Sequence, residues 1–143
     1  MLKDYTFIIL ADDDEDDRML FTDAFDELKI STKVHTFCDG SELMSYLNND
    51  EAILPEILFL DLNMPKKNGL ECLNEIKSNT KFNNMAIAIY STSSSEDHIE
   101  QTFVNGANIY IKKPNDFNTL KKVLQDVVTM NWQYQTSGMN KEN

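Results

Sequence analysis

The sequence predicts an α/β fold: a five-stranded parallel sheet, doubly wound, with helices on both faces. Three observations carry that prediction. Short apolar runs of strand length alternate along the chain with amphipathic stretches of helix length. Most of the runs are nearly continuous in apolar residues, as suits a parallel sheet covered on both faces. The chain's 143 residues hold five such β–α repeats, which right-handed crossovers assemble into one sheet.

The first run, Thr6–Ala11, contains Phe7-Ile8-Ile9-Leu10 and ends on three aspartates, Asp12, Asp13 and Asp14. After it, Phe21, Ala24, Phe25 and Leu28 recur at i, i+3, i+4, i+7, the apolar face of a first helix. Lys33–Phe37 alternates polar and apolar residues and fits a sheet edge; Leu43, Met44 and Leu47 then mark a shorter helix. Glu56–Asp61 is the third strand, its apolar core Ile57-Leu58-Phe59-Leu60 again closed by an aspartate, and Leu70, Leu73 and Ile76 give the third helix. Ala86–Ser91 is the fourth strand. Ile99, Thr102 and Phe103 face one side of a fourth helix that Ser94 or Ser95 can cap. Asn108–Lys112 is the fifth strand. The last helix is the clearest, with Leu120, Val123, Leu124, Val127 and Val128 on one face and Asn115 or Asp116 as cap after Pro114. Residues 1–130 thus read as one domain and 131–143 as a short polar C-terminal tail, expected to fray.

The totals exclude several function classes. A net charge of -11 argues against a nucleic-acid binder, because phosphate contacts need a basic face. No apolar stretch approaches the length of a membrane span, and the N-terminus lacks a signal pattern, so a cytoplasmic protein with no membrane partner is expected. Cys38 and Cys72 lie far apart without metal-ligand spacing and read as reduced thiols. His35 and His98 have no Cys or His nearby and read as structural or solvated.

In doubly wound sheets the functional crevice lies at the carboxyl ends of the strands. Asp12 and Asp13, Asp61, Ser91 and Lys113 all fall there. Two or three carboxylates at one sheet edge make a site for a hard divalent cation such as Mg2+, which takes oxygen ligands and keeps several waters. With the cluster so neutralised, Asp61 could attack an electrophilic phosphorus, and Lys113 and Ser91 could engage the oxygens of the aspartyl phosphate.

These residues resemble the receiver domain of two-component response regulators over residues 6 to about 129. The acidic pair after Ile8-Ile9-Leu10-Ala11, the segment Leu60-Asp61-Leu62-Asn63-Met64-Pro65 with Asn68-Gly69, the segment Ile89-Tyr90-Ser91-Thr92, and Gly106 through Pro114 match that family's four motifs in order. The resemblance implies a flavodoxin-like (β/α)5 receiver fold and a phosphoryl group accepted on Asp61. The donor would be a histidine kinase or His-phosphotransfer protein. It implies Mg2+, with Mn2+ able to substitute, held by Asp13, Asp61 and the backbone carbonyl of Asn63, with Asp12 acting mainly through water. Lys113 and Ser91 would contact the phosphoryl group, Tyr110 would swing inward as the switch, and Asn63 and Ser93 would tune phosphate lifetime. The output would be a partner-binding face of the fourth helix, fifth strand and fifth helix, or onward relay of the phosphoryl group. No output domain is expected after Met130.

Such a protein is not an enzyme toward external substrates, since it catalyses only its own phosphorylation and dephosphorylation, and it is expected as a monomer or weak dimer. The competing reading is a phosphorylation-independent, receiver-like binding module; a third is a hydrolase using an aspartyl phosphate, which Asp12-Asp13-Asp14 matches only superficially. Of the acidic run, Asp14 reads as a helix cap, and Glu15, Asp16 and Asp17 as a solvated helix start favoured by the helix dipole. Lys66 and Lys67 read as solvated loop charges.

Overall fold

A computed structural model describes the backbone of residues 5–142 and the side chains of residues 5–130. The elements run β1 (Thr6–Ala11), α1 (Glu15–Glu27), β2 (Thr32–Phe37), α2 (Gly40–Leu47), β3 (Ile57–Leu60) and α3 (Gly69–Lys77). A 3-10 turn (Thr80–Phe82) follows, then β4 (Ala86–Ser91), α4 (Glu96–Val104), β5 (Ile109–Lys112) and α5 (Phe117–Glu142). The five strands are all parallel, in the order β2-β1-β3-β4-β5. The doubly wound sheet is therefore as the sequence predicts, with β2 at an edge.

Alternation within each strand sends side chains to opposite faces. On one face Ile9, Leu58, Leu60, Ile87 and Ile89 bury against Leu43 and Leu47 of α2 and Leu73 and Ile76 of α3. On the other, Ile8, Leu10, Phe59 and Tyr90 meet Phe21 and Phe25 of α1 and Leu120, Leu124 and Val127 of α5. Phe21 anchors this side: it is fully buried and packs edge-on against Phe59 with centroids 5.0 Å apart. Burial of each such aromatic or aliphatic side chain contributes roughly 1.5–3 kcal/mol, so two continuous apolar layers hold the strand ends in register.

Strand bounds differ slightly from expectation, for identifiable reasons. Asp61 lies just past β3, although its N–H still bonds to the Ala11 carbonyl at 3.0 Å. Asn108 precedes β5 because its side-chain oxygen, rather than a strand carbonyl, accepts the Ile87 N–H at 2.8 Å. Helix starts follow local chemistry. Asp14 caps α1 by accepting the Asp17 N–H, Ser95 caps α4, and the Asp116 carboxylate accepts the Thr119 N–H at the start of α5. Asn68 and Glu71 form a capping box on α3. The backbone of α5 stays helical through Glu142, across the residues expected as a polar tail; their side chains lie outside the described residues.

Candidate functional site

Because β1, β3 and β4 are neighbours, their carboxyl ends deliver Asp12, Asp61 and Ser91 to one edge of the sheet, and β5 adds Lys113 beside them. Asp12, Asp61 and Ser91 are buried, while Asp13 is exposed at the rim. One carboxylate oxygen from each of Asp12, Asp13 and Asp61 can be chosen so that all three lie within 4.8 Å of one another.

Each acidic group is held from its backbone. Asp12 Oδ1 accepts the Asp14 N–H at 2.9 Å, and the Asp12 carbonyl accepts from the Arg18 guanidinium at 2.8 Å. Asp12 Oδ2 lies 2.8 Å from Lys113 Nζ but out of hydrogen-bond alignment, leaving a buried oxygen without a hydrogen-bond partner. Asp61 Oδ1 faces the Asn63 N–H at 3.4 Å, and Asp61 Oδ2 stands 3.6 Å from Lys113 Nζ. Behind Asp61 the chain is tightly packed: a Cβ on Gly69 would come within 2.3 Å of the Asp61 carbonyl oxygen. Only glycine fits there, which accounts for the Asn68-Gly69 pair at the start of α3.

Crowded carboxylates with one cation titrate abnormally. Burial pushes the Asp61 carboxyl up to about 7; Lys113 opposes the shift, and the charges of Asp12 and Asp13 add to it. Asp12 is also raised, again by burial, against the pull of Lys113 and the Asp14 N–H. Burial alone would lower Lys113, but its contacts with Asp12 and Asp17 outweigh it and hold the ammonium charged.

The second half of the site is a hydrogen-bond chain after β4. Ser91 Oγ accepts the Ser93 N–H at 3.1 Å, and the Lys113 N–H donates to the Ser91 carbonyl at 2.8 Å. The Tyr110 hydroxyl donates to the Ser93 carbonyl at 2.7 Å, with its ring half-buried. Ser93 Oγ pairs with His98 Nδ1 at 3.1 Å and accepts the Ser95 N–H at 3.3 Å. All three polar groups of Ser93 are thereby engaged.

The structure thus brings together Asp12, Asp13, Asp61, Ser91 and Lys113, with Asn63 at the exposed rim and Ser93 and Tyr110 one bond further out. Three charged residues read as solvated, Asp17, Lys66 and Lys67, are partnered instead, and His98, read as structural or solvated, has a partner too. Lys113 Nζ donates to Asp17 Oδ2 at 2.8 Å, so Asp17 belongs to the site. His98 is exposed but bonded to Ser93. Lys67 pairs with Glu75, and Lys66, at a positive φ of 65°, lies 3.6 Å from Asp39. The Asp17 pair spans 96 residues of sequence, so no local pattern announces it.

The oxygen donors of Asp12, Asp13 and Asp61, with the hydrogen-bond-orphaned Asp12 oxygen among them, fit a hard divalent cation. A second grouping, Cys38, Asp39 and Glu42, is satisfied internally: the thiol donates to Glu42 at 3.3 Å, and Asp39 caps α2 and faces Lys66. Among the described residues no helix is long and apolar enough to cross a membrane.

Known proteins resemble this chain in sequence and fold. The sequence profile of the response regulator receiver domain matches residues 8–125. The probable methanogenesis regulatory protein FilR2 of Methanothrix harundinacea is 30% identical over 87% of this chain and 83% of its own length. Response regulator Rcp1 of Synechocystis sp. is 28% identical over 84% of each chain. The Mn(2+)-bound form of Rcp1 superimposes with a TM-score of 0.78 over 85% of this chain and 91% of that one, at 28% identity. The phosphorylated cyanobacterial phytochrome response regulator RcpA does so with a TM-score of 0.79 over 86% and 91%, at 32% identity. With a receiver profile spanning most of its length on a flavodoxin-like five-stranded sheet, the chain belongs to the response regulator receiver family of two-component signalling.

Proposed function

We propose that this protein accepts a phosphoryl group on Asp61 from a histidine kinase or His-phosphotransfer protein in a Mg2+-dependent reaction. It then switches the face made by α4, β5 and α5, or relays the group onward. One observation carries the reading. Asp61, nearly buried between two other carboxylates, has a charged lysine 3.6 Å from its Oδ2. A static binding surface has no use for so costly a cluster.

In the transfer, an ionised Asp61 oxygen attacks the donor's phosphorus. The new P–O bond forms as the P–N bond to the donor imidazole breaks, and the imidazole keeps that bond's electron pair. Asp12, Asp13 and Asp61, with the Asn63 carbonyl, would hold Mg2+, which when bound offsets the negative charge gathering on the phosphoryl oxygens. Lys113 needs to move less than about 1 Å to bring its ammonium into hydrogen-bond range of the Asp61 side. Ser91 Oγ accepts from Ser93, so its own O–H proton is available to an arriving phosphoryl oxygen.

Signal output follows the same bonds. A shift of Ser91 toward the new oxygens pulls Ser93, whose carbonyl holds Tyr110 on β5 and whose hydroxyl holds His98 on α4. The outcome is a population shift between two packings of the α4–β5–α5 face. Asn63 and Ser93 flank the phosphoryl position and set how readily water reaches it. We further propose that residues 1–130 form the working domain and 131–143 an appendage, in a cytoplasmic monomer or weak dimer.

Incubation with acetyl phosphate and Mg2+ tests the reading. The protein gains one acid-stable, base-labile phosphate that EDTA prevents and Asp61→Asn abolishes. Absence of any Mg2+-dependent phosphate would instead leave a phosphorylation-independent, receiver-like module.

A further inference from the structure

Lys113 has three carboxylates within reach and one ammonium to share. Its Nζ lies 2.8 Å from Asp12 Oδ2, 2.8 Å from Asp17 Oδ2 and 3.6 Å from Asp61 Oδ2. Of these contacts only the one to Asp17 has the geometry of a hydrogen bond; Asp12 Oδ2 is as near but out of line. Asp17 thus supplies the aligned bond, while Asp12 attracts the ammonium by charge from the same distance. Asp17 is itself fixed, because its N–H donates to the Asp14 carboxylate in the first turn of α1. The main chain of Lys113 is fixed too, by its N–H on the Ser91 carbonyl. The side chain lies beyond that tie, and Asp17 restrains it.

We propose that Asp17 is a positioning residue that holds Lys113 back from Asp61 and competes with the phosphoryl group for its ammonium. The inference rests on Asp61 being the phosphoacceptor. A phosphoryl group on Asp61 puts three acceptor oxygens and a charge near -2 in place of the carboxylate's single charge. For Lys113 to turn toward those oxygens it must close the 3.6 Å gap to the Asp61 side, and its bond to Asp17 resists that movement. That bond joins a nearly buried ammonium (9% exposed) to a carboxylate that is 31% exposed, so its loss is a real but moderate cost. Asp17 thus weakens phosphoryl binding and keeps the unphosphorylated state populated. Neighbouring Asp16 carries the same charge but is exposed, and among the described residues it forms no ion pair with Lys113, which makes it the control for charge alone.

The experiment is a titration with beryllofluoride, a tetrahedral phosphoryl mimic on carboxylates, in saturating Mg2+. The readouts are backbone amide shifts and the 15N shift of Lys113 Nζ. Asp17→Asn should bind about 3- to 10-fold more tightly than wild type and move the Lys113 Nζ resonance even without the mimic. Asp17→Glu, which keeps the carboxylate, should stay near wild type, and Asp16→Asn should change affinity less than about twofold. If Asp17→Asn proves unstable, Asp17→Ser makes the same comparison. A wild type that binds the mimic while Asp17→Asn only matches Asp16→Asn overturns this inference alone. A wild type that takes no mimic overturns the phosphoacceptor reading and this one with it.

Discussion

The hydroxyl of Tyr110 donates to the backbone carbonyl of Ser93 at 2.7 Å, fastening β5 to the loop that follows Ser91. An aromatic ring alone would pack against the sheet without reporting on that loop. The hydroxyl makes the two move together.

Tyr110→Phe keeps the ring and removes this bond. The variant should lose about 0.5–1.5 kcal/mol of stability in urea, the usual net worth of one such bond. More tellingly, amide shifts in β5 and α4 on phosphorylation should shrink while the phosphate content of Asp61 stays the same. Undiminished α4 shifts would place the coupling elsewhere.

Stability of the metal-free protein should fall as pH rises from about 4 to 7. Asp61 has a raised carboxyl pKa in the fold, near 7, so in this window the folded state binds more protons than the unfolded state. Asp61→Asn removes that penalty and should stabilise the protein at pH 7.5 in EDTA by roughly 2–4 kcal/mol, with little gain at pH 4. Asp12 is shifted in the same direction and leaves a residual slope. Lys113, a raised base, contributes stability that is lost only above its own high pKa, outside this window. Urea titrations of both proteins at several pH values check the sign.

Mg2+ should raise the melting temperature of the wild type, and the gain should grow between pH 5 and pH 8 as Asp61 ionises. At a hundred times its dissociation constant the ion contributes about 2.7 kcal/mol. Asp13→Asn should reduce the gain while slightly raising the metal-free melt, because the charge of Asp13 adds to the burden on Asp61. A pH-independent gain would mean that Mg2+ binds without Asp61.

Gly69→Ala places a methyl group against the Asp61 carbonyl, 2.3 Å away before relaxation. The expected cost is about 1–3 kcal/mol of stability, together with weaker Mg2+ binding because the Asp61 main chain is displaced. Isothermal titration in parallel with urea melts separates the two effects. Intact Mg2+ affinity in a destabilised variant would show that α3 moves instead of Asp61.

What the sequence made legible was local. Carboxylates that end apolar runs, as at Asp12 and Asp61, mark strand ends wherever the strands go, and parallel winding gathers those ends at one edge. Caps such as Asp14 and Ser95 were readable because they act over three residues. Asp17 and His98 were not. Each sits in the first turn of a helix among polar residues, where a solvated charge and a partnered one share the same sequence pattern. Their partners, Lys113 and Ser93, are set by how α1 lies beside α5 and how the loop after β4 folds back. The fifth strand was begun one residue too early, at Asn108, for a related reason: its side chain imitates a strand backbone.

The glycine packed against Asp61 has a mechanical meaning. On the β1 and β3 side, the backbone is immobilised by the Gly69 contact, the Gly69 N–H on the Leu62 carbonyl, and Arg18 gripping the Asp12 carbonyl. On the β4 and β5 side, Ser91, Ser93, Tyr110 and Lys113 are tied to one another by hydrogen bonds that can trade partners. The site is a vice with one fixed jaw. A phosphoryl group on Asp61, as proposed above, would displace the second jaw, so the direction of motion would be set before it arrives.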